Sequence, residues 1–186
     1  MSGALDICSQ KRAYIDIETD LRGTFIWLVG LHLEAEARTY SFFAETPAHE
    51  KDIMTELLQF LSARPELQLL SYSNSAIEQR LLPQRFSVHG LQTAVVGRIR
   101  DIYYAIHACA AFPIEDTSLK EISRACGFKG RYPNFDGYDA ARSYGSGNLN
   151  ERLKQKLIEY NEDDLLALTQ VVQFIESRLT TELPVR

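Results

Sequence analysis

The opening of the chain confines its fold more than anything that follows. Residues 13–18 read Ala-Tyr-Ile-Asp-Ile-Glu and alternate as a strand does; residues 24–33 are β-rich and strongly apolar; residues 38–44 contain Thr-Tyr-Ser-Phe-Phe. The gaps between these stretches are short. Parallel neighbours need a crossover of about a dozen residues or more, so these three are expected to pair as an antiparallel meander. The apolar middle stretch suits its central strand.

The period then switches. Over 47–61, Ile53, Leu57, Phe60 and Leu61 recur at helical spacing, with Thr46 as the expected N-cap and Pro47 at the first helical position. Residues 67–72 form a fourth strand pattern, and 75–86 a helix with a break expected at Pro83. Residues 98–102 suit a short fifth strand, although 101–111 are equally compatible with a helix. A short helix is expected over 117–126, capped by Thr117 or Asp116 and ended by Gly127. Residues 130–147 are rich in Gly, Tyr, Asn and Ser and read as a long surface loop, either plain or a substrate-side lid. Residues 149–179 carry the longest helical pattern. This order gives an α/β fold with a mixed sheet, three antiparallel strands followed by parallel ones, flanked by helices. No Pro/Gly/Ser-rich linker interrupts it, so a single domain over residues 1–186 is expected, with its core at 13–180.

Composition narrows the class of function. The formal net charge of -5 argues against a protein that coats duplex phosphates. It leaves room for a nucleic-acid enzyme, because cations held by carboxylates offset their charge. Cys8, Cys109 and Cys126 are odd in number and scattered, which argues against a disulfide framework or a zinc site and fits a reducing cytoplasm. The four histidines, His32, His49, His89 and His107, show no metal-ligand spacing. The longest apolar run, 25–31, is too short to cross a bilayer, and residues 1–12 lack the apolar core of a signal peptide.

Acidic positions carry the chemistry. At about 100° per residue, Leu153, Leu157, Tyr160, Leu168, Val171 and Ile175 of the last helix fall within an arc of roughly 80°. Asp164 falls inside that arc, whereas Glu162 points the opposite way and Asp163 sits on the flank, both expected in solvent. A carboxylate on a buried stripe costs on the order of several kcal/mol unless it meets a cationic side chain, N–H donors or a metal. Asp16 and Glu18, two apart on the first strand, share one face while Ile15 and Ile17 turn towards a core. Such a pair repels itself unless it is exposed or shares a cation, and hard divalent ions favour oxygen ligands of this kind. Glu78 follows the fourth strand at a helix start, where α/β sheets commonly place function. Asp101 is a rival fourth acid whose other reading is to cap the following helix. Only tertiary folding can bring these acids to one cleft.

Asp16-x-Glu18, Tyr72-x4-Ile77-Glu78-x3-Leu82 and Tyr160-Asn-Glu-Asp-Asp164 resemble the three exonuclease motifs of the DEDD superfamily, whose fold is ribonuclease H-like. Tyr160 matches the tyrosine subclass, DEDDy; the histidine subclass would place His where Glu159 stands. Ser118-Leu-Lys-x-Ile-x4-Gly-Phe128, Gly137 with Tyr144, and Tyr160-Asn161-x2-Asp164-x2-Ala167-Leu168 are similar to the group of 3′–5′ exonucleases related to the proofreading domain of family B DNA polymerases. The resemblance runs over 13–179. It departs from the polymerases at Glu78, where they have Asp, and at Ser73, where they have Asn.

The resemblance implies a metal-dependent 3′–5′ exonuclease that hydrolyses single-stranded nucleic acid, DNA rather than RNA, with two divalent cations, Mg2+ or Mn2+. It implies that Asp16, Glu18, Glu78 and Asp164 hold the ions and that Tyr160 orients the attacking water. A tyrosine titrating near its ordinary pKa of about 10 is a poor base at neutral pH, so positioning is expected of it. Substrate contacts are expected from Ser73, Arg80 and Lys120. The stretch 79–131 holds eight basic and four acidic residues, a rim suited to a threaded single strand, with Tyr103, Tyr104, Phe128, Tyr132, Phe135 and Tyr138 as candidate stacking faces. The expected setting is cytoplasmic DNA repair, away from membranes. The alternatives are a catalytically weak or inactive nucleic-acid-binding module of the same fold, and an endonuclease built on it.

Overall fold

The computed structural model of the chain describes residues 11–181 apart from 74, 111 and 113–115, with the backbone alone at 179–181; Cys8, Ala111 and Glu115 lie outside the described residues. The expected meander is present as β1 (Arg12–Thr19), β2 (Ile26–Leu33) and β3 (Arg38–Phe43), paired antiparallel in that order. After α1 (Glu50–Ser62), β4 (Gln68–Ser71) lies parallel to β1, and β5 (Arg100–Asp101) lies parallel to β4. The five-stranded sheet has the order β3-β2-β1-β4-β5. Every residue of β2 is buried. That explains its continuous apolar sequence: both faces of the strand are covered by helices.

Helices cover the two faces with separate cores. On one face Ile15, Ile17, Val29 and Leu31 pack with Ile53 and Leu57 of α1 and with Leu82 and Phe86 of α2 (Ile77–Val88). The buried carboxylate of Glu50 ties these layers, accepting from the Ile26 amide (2.8 Å), from Arg85 Nε (2.8 Å) and from His89. On the other face lie α3 (Tyr103–Cys109), α4 (Leu119–Ala125), α5 (Gly137–Tyr144) and α6 (Glu151–Thr181). There Tyr14 and Leu70 meet Leu165, Leu168 and Val171 of α6, and Trp27 and Leu28 meet Tyr144, Leu157 and Tyr160.

Several local expectations are corrected. A short 3-10 turn, Pro47–His49, precedes α1, and Thr46 makes no capping bond. The helix proper begins only where Glu50 can turn inward to the Ile26 amide. Pro83 does not break α2, because it removes only its own backbone donor while Leu81, Leu82 and Phe86 anchor the helix on both sides of it. Both readings of the 98–111 region hold in part: β5 is two residues long, and Asp101 then starts α3 by accepting from the Tyr103 amide (2.8 Å). Ser118, rather than Thr117 or Asp116, caps α4, while Asp116 accepts from the Ser118 amide (2.8 Å). Gly127 follows that helix with φ +88°, as its place beyond the C-terminus requires.

The largest correction concerns 130–147, which is not a plain loop but contains α5. Asp136 caps it by accepting from the Asp139 amide (2.8 Å), and Ala140, Ala141 and Tyr144 form its buried face. Tyr144 stacks on Trp27 with centroids 4.6 Å apart and donates to the Ala44 carbonyl (2.8 Å). Glycine-rich flanks hide this helix from a composition reading, and tertiary stacking supplies what its short sequence lacks.

The long helix α6 crosses the sheet directly over Gly30, the residue paired with Asp16 across β1 and β2. A Cβ at Gly30 would fall 1.8 Å from Asn161 Oδ1 and 2.7 Å from Leu165 Cδ1. The helix therefore seats on bare backbone at this point. Gly30→Ala should lower the unfolding free energy by about 1–3 kcal/mol through overpacking. Urea denaturation checks this; an unchanged midpoint would show that the seat is not tight.

Candidate active site

β1 points Asp16 and Glu18 to the α6 side of the sheet, and α6 brings Asp164 down to meet them. One carboxylate oxygen from each of the three lies within 4.8 Å of the others. Glu78 approaches from α2. Its entry is shaped by Ala76, which adopts a left-handed conformation (φ +49°) immediately before the helix and turns the first helical residues inward. Asp16, Glu18, Ser73, Glu78, Tyr160 and Asp164 line one cleft of about 440 Å³. Glu78 is 2% exposed and its Oε2 has no hydrogen-bond partner among the described residues. Asp101, the rival acid, spends its two oxygens on the amides of Ser73 (3.1 Å) and Tyr103 (2.8 Å). The geometry thus gathers Glu78 with the other three and gives Asp101 a backbone-capping task.

The electrostatics follow from burial and crowding. Desolvation, then the neighbouring charges of Glu18, Asp164 and Glu78, pushes the Asp16 carboxyl well above its ordinary range. Glu18 is raised well above its own, first by desolvation and then by Asp164. Desolvation pushes Asp164 up to about 6, although a hydrogen bond offered by Tyr160 and the charge of Lys120 oppose it. Desolvation likewise pushes Glu78 up to about 7. The charge of Lys120 acts on both Glu18 and Asp164, one ammonium beside a cluster of acids. Like charges this close, with no matching set of basic groups among the described residues, fit a multivalent cation.

Tyr160 lies one turn before Asp164 and lines the cleft, only 6% exposed. Burial, then the charges of Asp164, Glu18 and Asp16, raises its hydroxyl pKa far above the usual tyrosine value. Phe135 meets its ring edge-on at 5.3 Å, and Lys120 Nζ lies 5.1 Å from the ring centroid while donating to the Phe135 carbonyl. Of the expected substrate contacts, Ser73 lines the cleft, but its hydroxyl also accepts from the Ser75 amide (3.2 Å) at the approach to α2. Arg80 is exposed on α2 and is not part of the cleft wall. Tyr72 and Tyr103 form part of that wall, whereas Tyr104 and Tyr138 are exposed.

Asp163 corrects the helix-face reading. It is buried rather than solvated, because Arg131 closes over it through Nε (2.7 Å) and through its backbone amide (2.5 Å). A lone helical wheel cannot register a segment that folds back onto its flank.

Asn161 stands in the motif between Tyr160 and Asp164, and the structure gives it a role. It is fully buried, its Nδ2 donates to Asp16 Oδ2 (2.5 Å), and it also offers a hydrogen bond to Glu18. At about 100° from Tyr160 it falls just beyond the edge of the apolar arc, so helical phase alone gives it only a weak signal. The missing element was Gly30, whose lack of a side chain makes room for it.

A family model of the RNase H superfamily matches residues 13–175. The chain belongs to the RNase H superfamily. The crystal structure of the Aedes aegypti Nibbler EXO domain is similar to this superfamily member with a TM-score of 0.59 and 16% sequence identity, over 95% of this chain and 82% of that chain. At that identity the likeness establishes a shared fold. A comparison with curated protein sequences returned no match. Among the described residues no helix is long and apolar enough to cross a membrane.

Two outcomes are expected from this geometry. Ordinary carboxyls titrate near 3.8 (Asp) and 4.5 (Glu), whereas Asp164 and Glu78 reach about 6 and about 7 in the fold. The folded chain thus binds more protons than the unfolded chain in that window, and these groups cost stability as pH rises through it. In EDTA, Asp164→Asn should therefore gain Tm relative to the parent protein as pH goes from about 5 to about 7, and Mn2+ should reverse the order at about pH 7. A constant Tm difference across that range would contradict the shift. Asn161→Ala, checked for folding by circular dichroism, should weaken Mn2+ binding by about tenfold or more in calorimetry, the usual effect of losing a partner that orients ligands.

Proposed function

We propose that this superfamily member is a metal-dependent 3′–5′ exonuclease of the tyrosine DEDD subclass, acting on single-stranded nucleic acid, DNA rather than RNA. Superfamily membership supports a nuclease activity in general. The observation that carries the finer reading is the meeting of Asp16, Glu18 and Asp164 within 4.8 Å, with Tyr160 one turn from Asp164. The oxygen-only donor set and the unpartnered Glu78 Oε2 fit hard divalent cations, two Mg2+ or Mn2+ ions in this reading. Asp16, Glu18 and Asp164 would hold them, with Glu78 closing the set from α2. When bound, such ions supply Lewis-acid stabilisation of the phosphate charge and lower the pKa of water.

The chain's own residues do the rest. Tyr160 keeps its proton at neutral pH, because burial and the surrounding carboxylates oppose its ionisation. It therefore fixes the direction of the attacking water rather than removing a proton from it. Asn161 holds Asp16 in place, so that ligand's oxygens are set before substrate arrives. Lys120, the third expected substrate contact, stands 5.1 Å from the Tyr160 ring on the wall of a neighbouring cavity rather than of the cleft, and its charge, felt at Asp164, draws the phosphate chain towards the site. Ser73 contacts the strand at the cleft wall, and Arg80 meets it farther out. The setting that fits this activity is DNA repair in the cytoplasm.

The test is a 5′-labelled single-stranded oligonucleotide incubated with Mg2+ or Mn2+. A ladder shortening from the 3′ end is expected, abolished by EDTA and by Asp164→Asn, and slowed by about 10²-fold in Tyr160→Phe, the effect of misplacing the attacking water. No cleavage with either metal, together with metal-independent oligonucleotide binding, would assign the chain to the inactive binding module instead. Cleavage of a circular single strand would replace the exonuclease by an endonuclease.

A further inference from the structure

Behind Tyr160 and Asp164, on the side away from Glu78, lies a second cavity of about 490 Å³. Its walls are α4, the 127–133 segment and the flank of α6. This size is that of a small-molecule site. The cavity is held open rather than left by loose packing. Arg131 clamps the segment to α6 through Asp163 and through the Glu159 carbonyl (3.1 Å); the Phe128 amide bonds the Ser123 carbonyl (2.9 Å); Arg124 bonds the Pro133 carbonyl (3.1 Å).

The lining specifies a ligand. Phe128, Tyr132, Pro133 and Ala167 offer apolar and flat surfaces, and Lys120, Arg124 and Lys129 stand around them. Asp163, the acid that would oppose an anion there, is already neutralised by Arg131. Arg124 shares its charge with Glu121, whereas exposed Lys129 is in no ion pair among the described residues. An anion reaching instead towards Asp164 would meet the acidic cluster, so its place is the Lys129 side. A planar ring against Phe128 and Tyr132 with a phosphate at Lys129 is the chemistry of a nucleoside monophosphate.

We infer that this cavity is a second nucleotide site, separate from the cleft, which binds a free nucleoside 5′-monophosphate and, through the shared walls Tyr160 and Asp164, restrains the reaction that generates such products. The binding does not require a metal. The restraint rests on the exonuclease reading; the binding does not.

Calorimetry with adenosine, guanosine, cytidine and thymidine 5′-monophosphates in EDTA tests it. Binding of at least one is expected, weakened about tenfold or more by Lys129→Glu and by Ala167→Phe, which fills the cavity. In the oligonucleotide assay the same monophosphate should slow shortening, and Lys129→Glu should relieve that inhibition with the uninhibited rate unchanged. No binding in EDTA, or binding indifferent to both variants, overturns the site. If Ala167→Phe does not fold, Lys129→Glu alone decides. If binding in EDTA depends on Lys129 but no oligonucleotide is cleaved, the site stands and the exonuclease reading falls.

Discussion

The structure hinges on how α6 seats on the sheet. Gly30 presents no side chain, so the helix descends until Asn161 and Leu165 touch strand backbone. That close approach lets Asn161 bond Asp16 and brings Asp164 within reach of Asp16 and Glu18. A bulkier residue at position 30 would lift the helix, and the acids would separate together with the packing. One contact thus sets both the core of this face and the spacing of the cluster.

The cluster in turn is costly to a folded chain without a cation. Its acids are buried, they repel each other, and one lysine stands near them. Elsewhere the fold satisfies its buried acids locally: Glu50 by Arg85, His89 and a backbone amide, Asp163 by Arg131. Among the described residues, the same chain that neutralises those acids leaves Asp16, Glu18, Glu78 and Asp164 without a matching set of cations. That contrast separates structural acids from candidate ligands more sharply than any motif does, because it sets Glu18 and Glu78 beside Glu50 and Asp163, all buried in one protein.

Much of the fold was legible in the sequence where periodicity is long and strong. The meander, α1, α2 and α6 follow from alternation or helical spacing sustained over many residues. Legibility ended where few residues had to decide. α5 is eight residues long, and its buried face relies on Trp27 for a partner. β5 is two residues long and exists because β4 pairs with it. Pro83 carries a local cost that the sequence shows, whereas the burial of Leu81, Leu82 and Phe86, which outweighs one missing backbone donor, is a tertiary property.

The site divides along the same line. Alternation on β1 by itself placed Asp16 and Glu18 on one face, and helical phase by itself placed Tyr160 and Asp164 on the buried arc of α6. Those are properties of neighbours along the chain, and period two and period 3.6 suffice to fix them. Only the tertiary structure decided that Glu78 rather than Asp101 faces the cluster, that Asp163 is covered by Arg131, and that Asn161 holds Asp16. Each of these depends on which distant segment arrives beside a side chain, and on where a glycine allows it to come close. Sequence periodicity carries orientation; approach distance is set by packing, and the candidate chemistry of this protein lies in that distance.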